Sequence, residues 1–202
     1  GSCWDTNFLH EMVTSRRICT RMQQKTFGNH TIIPAATYKT ETAIGPVPRT
    51  KGALTLSSKQ VDSRSGIDRF RTSGAMKALF PRAEDVQAIL INTSGGLTGG
   101  DQIDVDACAG AGSSLTLTTQ AAERAYRSQE GRARMSTDLR VEAGGRINWL
   151  PQEMILFEGS VLDSRLAVDL AEGAQLLMVE PIIFGRAAMG ESLTSVSFKD
   201  RV

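Results

Sequence analysis

A repeated pattern in the second half of the chain constrains the fold more strongly than any single motif. Three glycine-containing turns each lie between an alternating strand and an apolar strand, and they begin at Gly112, Gly144 and Gly173. The apolar positions that follow lie 32 and then 29 residues apart, at Leu115, Ile147 and Leu176. Such spacing is typical of stacked units that complete one another's hydrophobic face. The repeat therefore predicts a mainly β fold, either in stacked β-helix-like layers or in a sandwich-like body.

The sequence changes texture near residue 50. Residues 1–50 are rich in Thr, Arg and Gln and have no helical or strand periodicity, which predicts a poorly ordered N-terminal extension. From Lys51 onward short alternating stretches are separated by Gly, Asp and Pro, so residues 51–202 are predicted to form the β domain. One or two short helices are expected in it. One is predicted at Gln120–Ser128, where Glu123 and Arg127 would pair four residues apart.

A glycine-rich loop follows the apolar strand Ile89–Ile91, and its glycines are Gly95, Gly96, Gly99 and Gly100. A phosphate loop would need Gly-Lys-Ser/Thr opening a helix, and a dinucleotide fingerprint would need a helix and a later acid. Here Asp101 and an alternating stretch, Gln102–Val105, follow instead. The loop is therefore predicted to join two strands, with glycines that supply positive φ and close backbone approach, and with Asp101 fixed at its exit.

Composition excludes few classes of protein. The net charge of +1 gives no reason to expect bulk binding to nucleic acid or to an acidic membrane surface. The longest apolar runs, such as Leu176–Val179, are far shorter than the roughly 20 residues that a membrane-spanning helix needs. No nucleic-acid partner and no membrane partner are therefore expected.

The cysteines and histidines bear on location and chemistry. Cys3, Cys19 and Cys108 form an odd set without C-x-x-C spacing, which suits a reducing compartment, so a cytoplasmic protein is expected. The only histidines, His10 and His30, lie in the predicted extension. Zinc therefore has poor support, and a serine or cysteine nucleophile in the β domain would have no histidine base.

Acidic residues leave three hypotheses open. Asp104 and Asp106 share one strand face, where they would hold a hard cation or simply face solvent. Carboxylates that converge would allow glycosidic chemistry, and the candidates are Asp101, Glu153, Glu158 and Glu180. A sugar site usually offers several aromatic side chains, and only 5% of this chain is aromatic. The residues thus favour a binding or scaffold protein over an enzyme, with a carbohydrate-binding or carbohydrate-active β-solenoid as the alternative.

Two further stretches each allow a structural and a functional interpretation. Trp149–Phe157 is an apolar stretch that contains Pro151 and Glu153. It is either a core strand with a bend at the proline or an exposed apolar ledge for a partner protein. Gly185–Glu191 combines glycine turns with Arg186 and Glu191, which on their own predict a turn with an ion pair.

Four stretches together resemble, in order and spacing, the UreD (also UreH) family of urease accessory proteins: Asn92–Asp101, Thr118–Ser128, Trp149–Gly159 and Gly185–Glu191. The resemblance implies a chaperone without catalytic activity, which assists nickel insertion into apo-urease. It also implies a complex with a helical accessory protein, UreF, and through it with the GTPase UreG. Its implied body is a β-helix-like stack that offers Ni²⁺ an interior polar passage, with no tightly bound cofactor.

The resemblance also assigns residues. Asp101, Glu123 and Glu180 fall where the family places polar groups that line the passage, and oxygen ligands of this kind hold Ni²⁺ loosely. Asp101 and Glu180 are the candidates for transient metal contact. The alternative is that Asp101 only binds the amides of the glycine loop and Glu180 only pairs with Arg186. Within the resembling stretches, the candidates for a partner-binding surface are Tyr126, Arg127, Trp149, Phe157 and Arg186.

The chain departs from the family pattern at both ends. Residues 1–48 match nothing in it, and the sequence stops soon after Glu191, where family members continue with further strands and helices. We therefore expect a β domain truncated at its C-terminus, with weakened binding to the helical partner. An exposed edge strand is expected near Ser195–Phe198.

Overall fold

The computed structural model describes residues 48–202, so the predicted N-terminal extension lies almost entirely outside the described residues. Within that part of the chain there are fourteen strands: β1 Lys51–Val61, β2 Arg64–Gly74, β3 Met76–Leu79, β4 Val86–Asn92, β5 Gln102–Ala109, β6 Ser114–Thr119, β7 Glu123–Ala125, β8 Ala133–Val141, β9 Arg146–Trp149, β10 Met154–Leu156, β11 Val161–Leu170, β12 Gln175–Met178, β13 Ile182–Phe184 and β14 Ser197–Arg201. A single turn of 3-10 helix spans Ala187–Met189.

The strands form three sheets, with the orders β14-β11-β8-β5-β1-β2, β12-β9-β6-β4-β3 and β13-β10-β7. Three consecutive strands contribute one strand to each sheet, as in β5-β6-β7, β8-β9-β10 and β11-β12-β13. Each set of three strands is one coil of the stack, and the strands of successive coils pair in parallel. The predicted mainly β, stacked β-helix-like fold is therefore confirmed, and it is three-sided rather than a plain sandwich.

The repeat found in the sequence corresponds to the register of the stack, because equivalent positions of the repeat pair on successive coils. Leu115 pairs with Ile147, and Ile147 pairs with Leu176 on the next coil. The turn glycines stack as well, because the Gly112 N–H donates to the Ala143 carbonyl at 3.0 Å. The first interval of the repeat is longer than the second, so the first coil contains extra residues. The strand pairs Glu123–Met154 and Ala133–Leu162 show where these residues lie. The extra residues lie in the loops on either side of β7.

The N-terminal strands close one end of the stack. β1 pairs in parallel with β5 on one side and antiparallel with β2 on the other. β3 likewise pairs antiparallel with β4, so the sheet order ends at β3. At the other side of the first sheet, β14 pairs with β11 alone among residues 48–202 and is an edge strand of that part of the chain. It begins at Ser197, inside the region where the sequence predicted an exposed edge.

The predicted helix at Gln120–Ser128 is wrong. The segment contains β7, which pairs in parallel with β10, and Ala125 also forms a bridge with Leu97. The predicted Glu123–Arg127 ion pair is absent as well, since Glu123 binds Asn92 and Arg127 lies 3.8 Å from Glu158. Helix propensity is overridden here because each coil needs a short strand for the third sheet.

The core lies between the three sheets and consists of the inward-facing alternate residues of each strand. Leu56, Leu115, Leu117, Ile147 and Leu156 have no exposed surface. Burial of such side chains is the main favourable term in folding, and stacked strands place it at equivalent positions of successive coils.

A matched pair of leucine substitutions tests this assignment of the core. Leu115→Ala is expected to lower the free energy of unfolding by about 3–5 kcal/mol, because a fully buried side chain leaves a cavity. Leu177→Ala removes the same atoms from a side chain that is 47% exposed, so its effect should be much smaller. Urea unfolding of both variants makes the comparison. Similar losses in the two variants would contradict the inward orientation of Leu115.

Candidate functional site

A cavity of about 180 Å³ lies inside the stack, and all three sheets contribute to its wall. Its lining is mostly apolar or neutral, with four charged residues: Glu123, Arg124, Glu180 and Asp200. The cavity crosses the coils, since its walls include residues from β4 at one end and β14 at the other. It is therefore an internal space that connects successive layers.

One wall of the cavity changes chemistry from coil to coil. Ile103, Met135, Ser164 and Asp200 all line it, and they are neighbours in register on β5, β8, β11 and β14. Along this row an alkyl group is followed by a thioether, a hydroxyl and a carboxylate. Asp200 is exposed. The wall thus becomes more polar toward β14, where its last carboxylate reaches solvent.

Glu123 begins β7, and its half-buried carboxylate lines the cavity. Burial raises the pKa of Glu123, because the charged form loses hydration, and a hydrogen bond from Asn92 opposes that shift. The Asn92 Nδ2 donates to Oε2 of Glu123 at 3.0 Å, and the backbone N–H of Arg124 donates to Oε1 at 3.1 Å. The carboxylate is thus oriented by two neutral donors.

Glu180 follows β12 and lines the same cavity. The Nε1 of Trp149 donates a hydrogen bond to its Oε1 at 2.8 Å. Burial raises the pKa of Glu180, the Trp149 hydrogen bond lowers it, and the negative charge of Asp200 raises it. The cavity therefore holds two partly desolvated acids, each with a single side-chain donor.

Asp101, the third predicted passage residue, occupies a different place. It is 5% exposed and is not part of the cavity wall. Its carboxylate accepts hydrogen bonds from the N–H groups of Thr50 at 2.7 Å and Thr98 at 2.8 Å. The alternative that Asp101 satisfies loop amides is therefore confirmed. The matching alternative for Glu180 is wrong, because Arg186 pairs with Glu191 instead, at 3.0 Å.

The glycine loop joins β4 to β5, as the sequence predicted, and it packs tightly against the next coil. Its backbone φ is positive at Gly95, Gly96 and Gly100. A side chain at Gly96 would collide with the Tyr126 ring, and one at Gly99 would collide with Ser128 and the Glu130 carbonyl. The loop glycines therefore permit backbone approach between neighbouring coils rather than phosphate binding.

Four of the five predicted partner-surface residues form an outer cluster: Tyr126, Arg127, Phe157 and Arg186. The Tyr126 and Phe157 rings meet edge to face with centroids 4.9 Å apart. The Arg186 guanidinium lies 4.3 Å from the Phe157 ring centroid. Glu158 and Glu191 line the same cluster and pair with Arg127 and Arg186, so the surface consists of aromatic rings and ion pairs. Aromatic residues and Arg are enriched at protein interfaces.

Trp149 is the exception, and its assignment to a partner surface is wrong. It is 5% exposed and packs in the core at the end of β9. The chain turns at Pro151 between β9 and β10, so the interpretation of a core strand with a bend is confirmed and the exposed ledge is not. Trp149 is amphipathic, and its buried N–H needs an acceptor, which Glu180 provides.

Three of the four carboxylates proposed for glycosidic chemistry lie in different parts of the structure. Glu180 lines the internal cavity, and Asp101 lies in the glycine loop. Glu158 belongs to the outer cluster, where it accepts hydrogen bonds from the Thr194 hydroxyl at 2.7 Å and the Ser195 N–H at 3.1 Å. Asp101, Glu158 and Glu180 therefore do not form the pair of facing carboxylates that glycosidic chemistry requires.

The described residues contain no group of three or more His, Cys, Asp or Glu side chains that could hold a metal ion. Asp104 and Asp106 lie on the outer face of β5, where Asp104 accepts a hydrogen bond from Gln102 at 2.9 Å. The interpretation of a solvated strand face fits both. In residues 48–202 no helix has the length and apolar character to cross a membrane.

Comparison with known proteins adds to this geometry. The family model described as UreD urease accessory protein matches residues 50–202. The chain belongs to the UreD family. Its relatives include proteins named urease accessory protein UreD from Roseobacter denitrificans, which is 57% identical over 77% of this chain, and from Ruegeria pomeroyi, which is 50% identical over 74%. These matches cover 58% and 59% of the relatives, so the chain spans a little under 60% of their length.

Three residues of this UreD-family cavity were assigned to it from the sequence neither as wall residues nor as partners of the acids, although Trp149 was named as a surface candidate. Asp200 completes the wall near β14, and Asn92 and Trp149 orient the two internal acids. Period-2 alternation through Phe198 and Asp200 would have placed both on the inner face of one strand. No local signal marks Asn92 or Trp149 as partners of acids that lie 31 residues away in the chain.

Asp101→Ala tests the structural role of this carboxylate in the glycine loop. The substitution leaves the Thr50 and Thr98 N–H groups without their acceptor, so we expect the free energy of unfolding to fall by about 1–3 kcal/mol. Urea denaturation measures the loss. An unchanged midpoint would show that water replaces the carboxylate without cost.

Glu123→Gln tests the cost of keeping an acid in the cavity. The pKa of Glu123 is raised by burial, so the folded state holds its proton more tightly than the unfolded state does. Ionisation above that pKa therefore destabilises the fold, and the glutamine variant should unfold at a higher temperature than wild type at pH 8. The difference should shrink as pH falls through the raised pKa. Thermal unfolding over pH 5–8 measures it, and a less stable variant at every pH would contradict the argument.

Proposed function

We propose that this chain assists urease maturation as a scaffold without catalytic activity, which lets Ni²⁺ pass through its internal cavity to apo-urease. The family assignment supports the role in maturation. The observation that supports the passage is the shared cavity of Glu123 and Glu180, two partly buried acids on different coils of one stack. The expected cytoplasmic location of the protein stays a prediction.

The chemistry of the cavity suits transport better than storage. Ni²⁺ binds oxygen ligands less tightly than a nitrogen and sulfur cage, so widely spaced carboxylates would release it to a stronger site. The row of residues along one cavity wall ends at Ser164 and Asp200, which would give the metal ion polar contacts near solvent. Ni²⁺ is cargo in this proposal, and no tightly bound cofactor is required.

The proposed partners are apo-urease, a UreF-type helical accessory protein and, through it, a UreG-type GTPase. The outer cluster of Tyr126, Arg127, Phe157 and Arg186 is the surface proposed for a protein partner. Its aromatic rings are held by neighbouring coils, so a partner would meet a rigid surface.

The test of the passage removes both internal charges while it leaves the shape intact. Cells that carry a urease operon but lack their own UreD gene receive this chain as wild type or as the double variant Glu123→Gln/Glu180→Gln. We expect the double variant to lower urease activity and nickel content several-fold at limiting nickel. Co-purification with apo-urease should persist, because the outer cluster is unchanged.

Asp106→Asn is the matched control, since it removes one carboxylate from the exposed outer face of β5. It should leave urease activity and nickel content at the wild-type level. Full nickel loading by the double variant would refute the passage. Failure of the folded wild-type chain to raise urease activity would refute the role in maturation.

A further inference from the structure

The two internal acids share an arrangement that the proposed function does not by itself explain. Neither Glu123 nor Glu180 forms an ion pair with an Arg or Lys of the described residues. Arg124 lines the same cavity, and its charge lowers the pKa of Glu123, but its side chain makes no salt bridge there. Partly buried carboxylates are usually paired with a cation. Here each is held by a neutral side-chain donor.

The donor to Glu123 is itself fixed in orientation. The Oδ1 of Asn92 accepts hydrogen bonds from the N–H and the hydroxyl of Ser94, at 3.0 and 2.6 Å. The amide must therefore present its Nδ2 to Oε2 of Glu123, at 3.0 Å. Asn92 ends β4, whereas Glu123 begins β7 on the following coil. The amide thus ties the acid to a neighbouring layer.

The donor to Glu180 is fixed by packing. Trp149 is 5% exposed, and its strand β9 pairs with β6 and β12 on either side. Its ring lines the cavity, and its Nε1 reaches Oε1 of Glu180 at 2.8 Å. Oε2 of Glu180 accepts no hydrogen bond from residues 48–202. One carboxylate oxygen is thereby held, and the other is left free.

The choice of donor decides what the carboxylate can do next. An arginine or lysine would neutralise the acid and compete with any metal ion for it. A neutral N–H sets the orientation of the carboxylate and leaves its charge available, as in the outer coordination sphere of many metal sites. We infer that Asn92 and Trp149 are positioning residues, which hold Glu123 and Glu180 as uncompensated carboxylates facing a passing divalent cation. This inference rests on the proposed function.

The first experiment removes each donor while it preserves the packing. Trp149→Phe keeps an aromatic ring without the N–H, and Asn92→Leu keeps the branched shape of the side chain without the amide. In the complementation assay each variant should raise the nickel concentration for half-maximal urease activation by roughly tenfold, as outer-sphere substitutions do. The maximal activity at high nickel should stay near that of wild type. A variant that merely loosened the fold would lower that maximum.

The second experiment leaves both donors in place. The chain has two tryptophans, Trp4 and Trp149, so in the ¹⁵N-labelled full chain the indole N–H resonance of Trp149 is the one that remains in Trp4→Phe. Glu180→Gln should shift it, and added NiCl₂ should broaden it in wild type but much less in the Glu180→Gln chain. Asp106→Asn should behave like wild type in both measurements.

The outcomes separate the two proposals. If the double glutamine variant loads urease fully, the passage fails, and the inference fails with it. If that variant is impaired while Trp149→Phe and Asn92→Leu keep the wild-type nickel dependence, only the positioning roles fail. If the donor variants do not fold, the indole resonance decides, because its assignment through Trp4→Phe does not need them. A Trp149 signal unaffected by NiCl₂ and by Glu180→Gln then overturns the inference.

Discussion

The structure depends on the in-register parallel stacking of successive coils. Leu115, Ile147 and Leu176 lie directly above one another, and the turns before them are joined by backbone hydrogen bonds. Because every coil repeats the position of the one before it, a side chain that points inward does so at each layer. The core, the cavity and the contacts between loops all follow from this register.

The same stacking allows the polarity of the inward-facing residues to change from coil to coil. A single strand has room for one or two inward residues near the cavity, but a row across four strands can change from Ile103 to Asp200 step by step. Glu123 and Glu180 enter the cavity at the corners between sheets, where the chain passes from one face of the stack to the next. Burial raises the pKa of both acids, so the fold keeps them at a cost in stability.

How much could be predicted depended on whether the signal was local. Strand texture and turn glycines are local signals, and together with the repeat interval they predicted the mainly β fold, the stack and its vertical register correctly. The segment around Glu123 misled the prediction because its composition favours a helix, while its pairing with β10 requires a strand. Trp149 was placed on the surface because an apolar run alone does not say which side of a corner is covered.

Alternation, turn glycines and four ordered motifs are properties of the amino-acid order alone, and they were sufficient to assign the class of fold and the family. Which acids share one cavity, in contrast, follows from the folded arrangement of the coils. Asp101 and Glu123 both follow β-like stretches, yet one is used by loop amides and the other faces a cavity. The partners of Glu123 and Glu180 lie on neighbouring coils, 31 residues away in the chain, and contacts at that separation exist only once the coils have stacked.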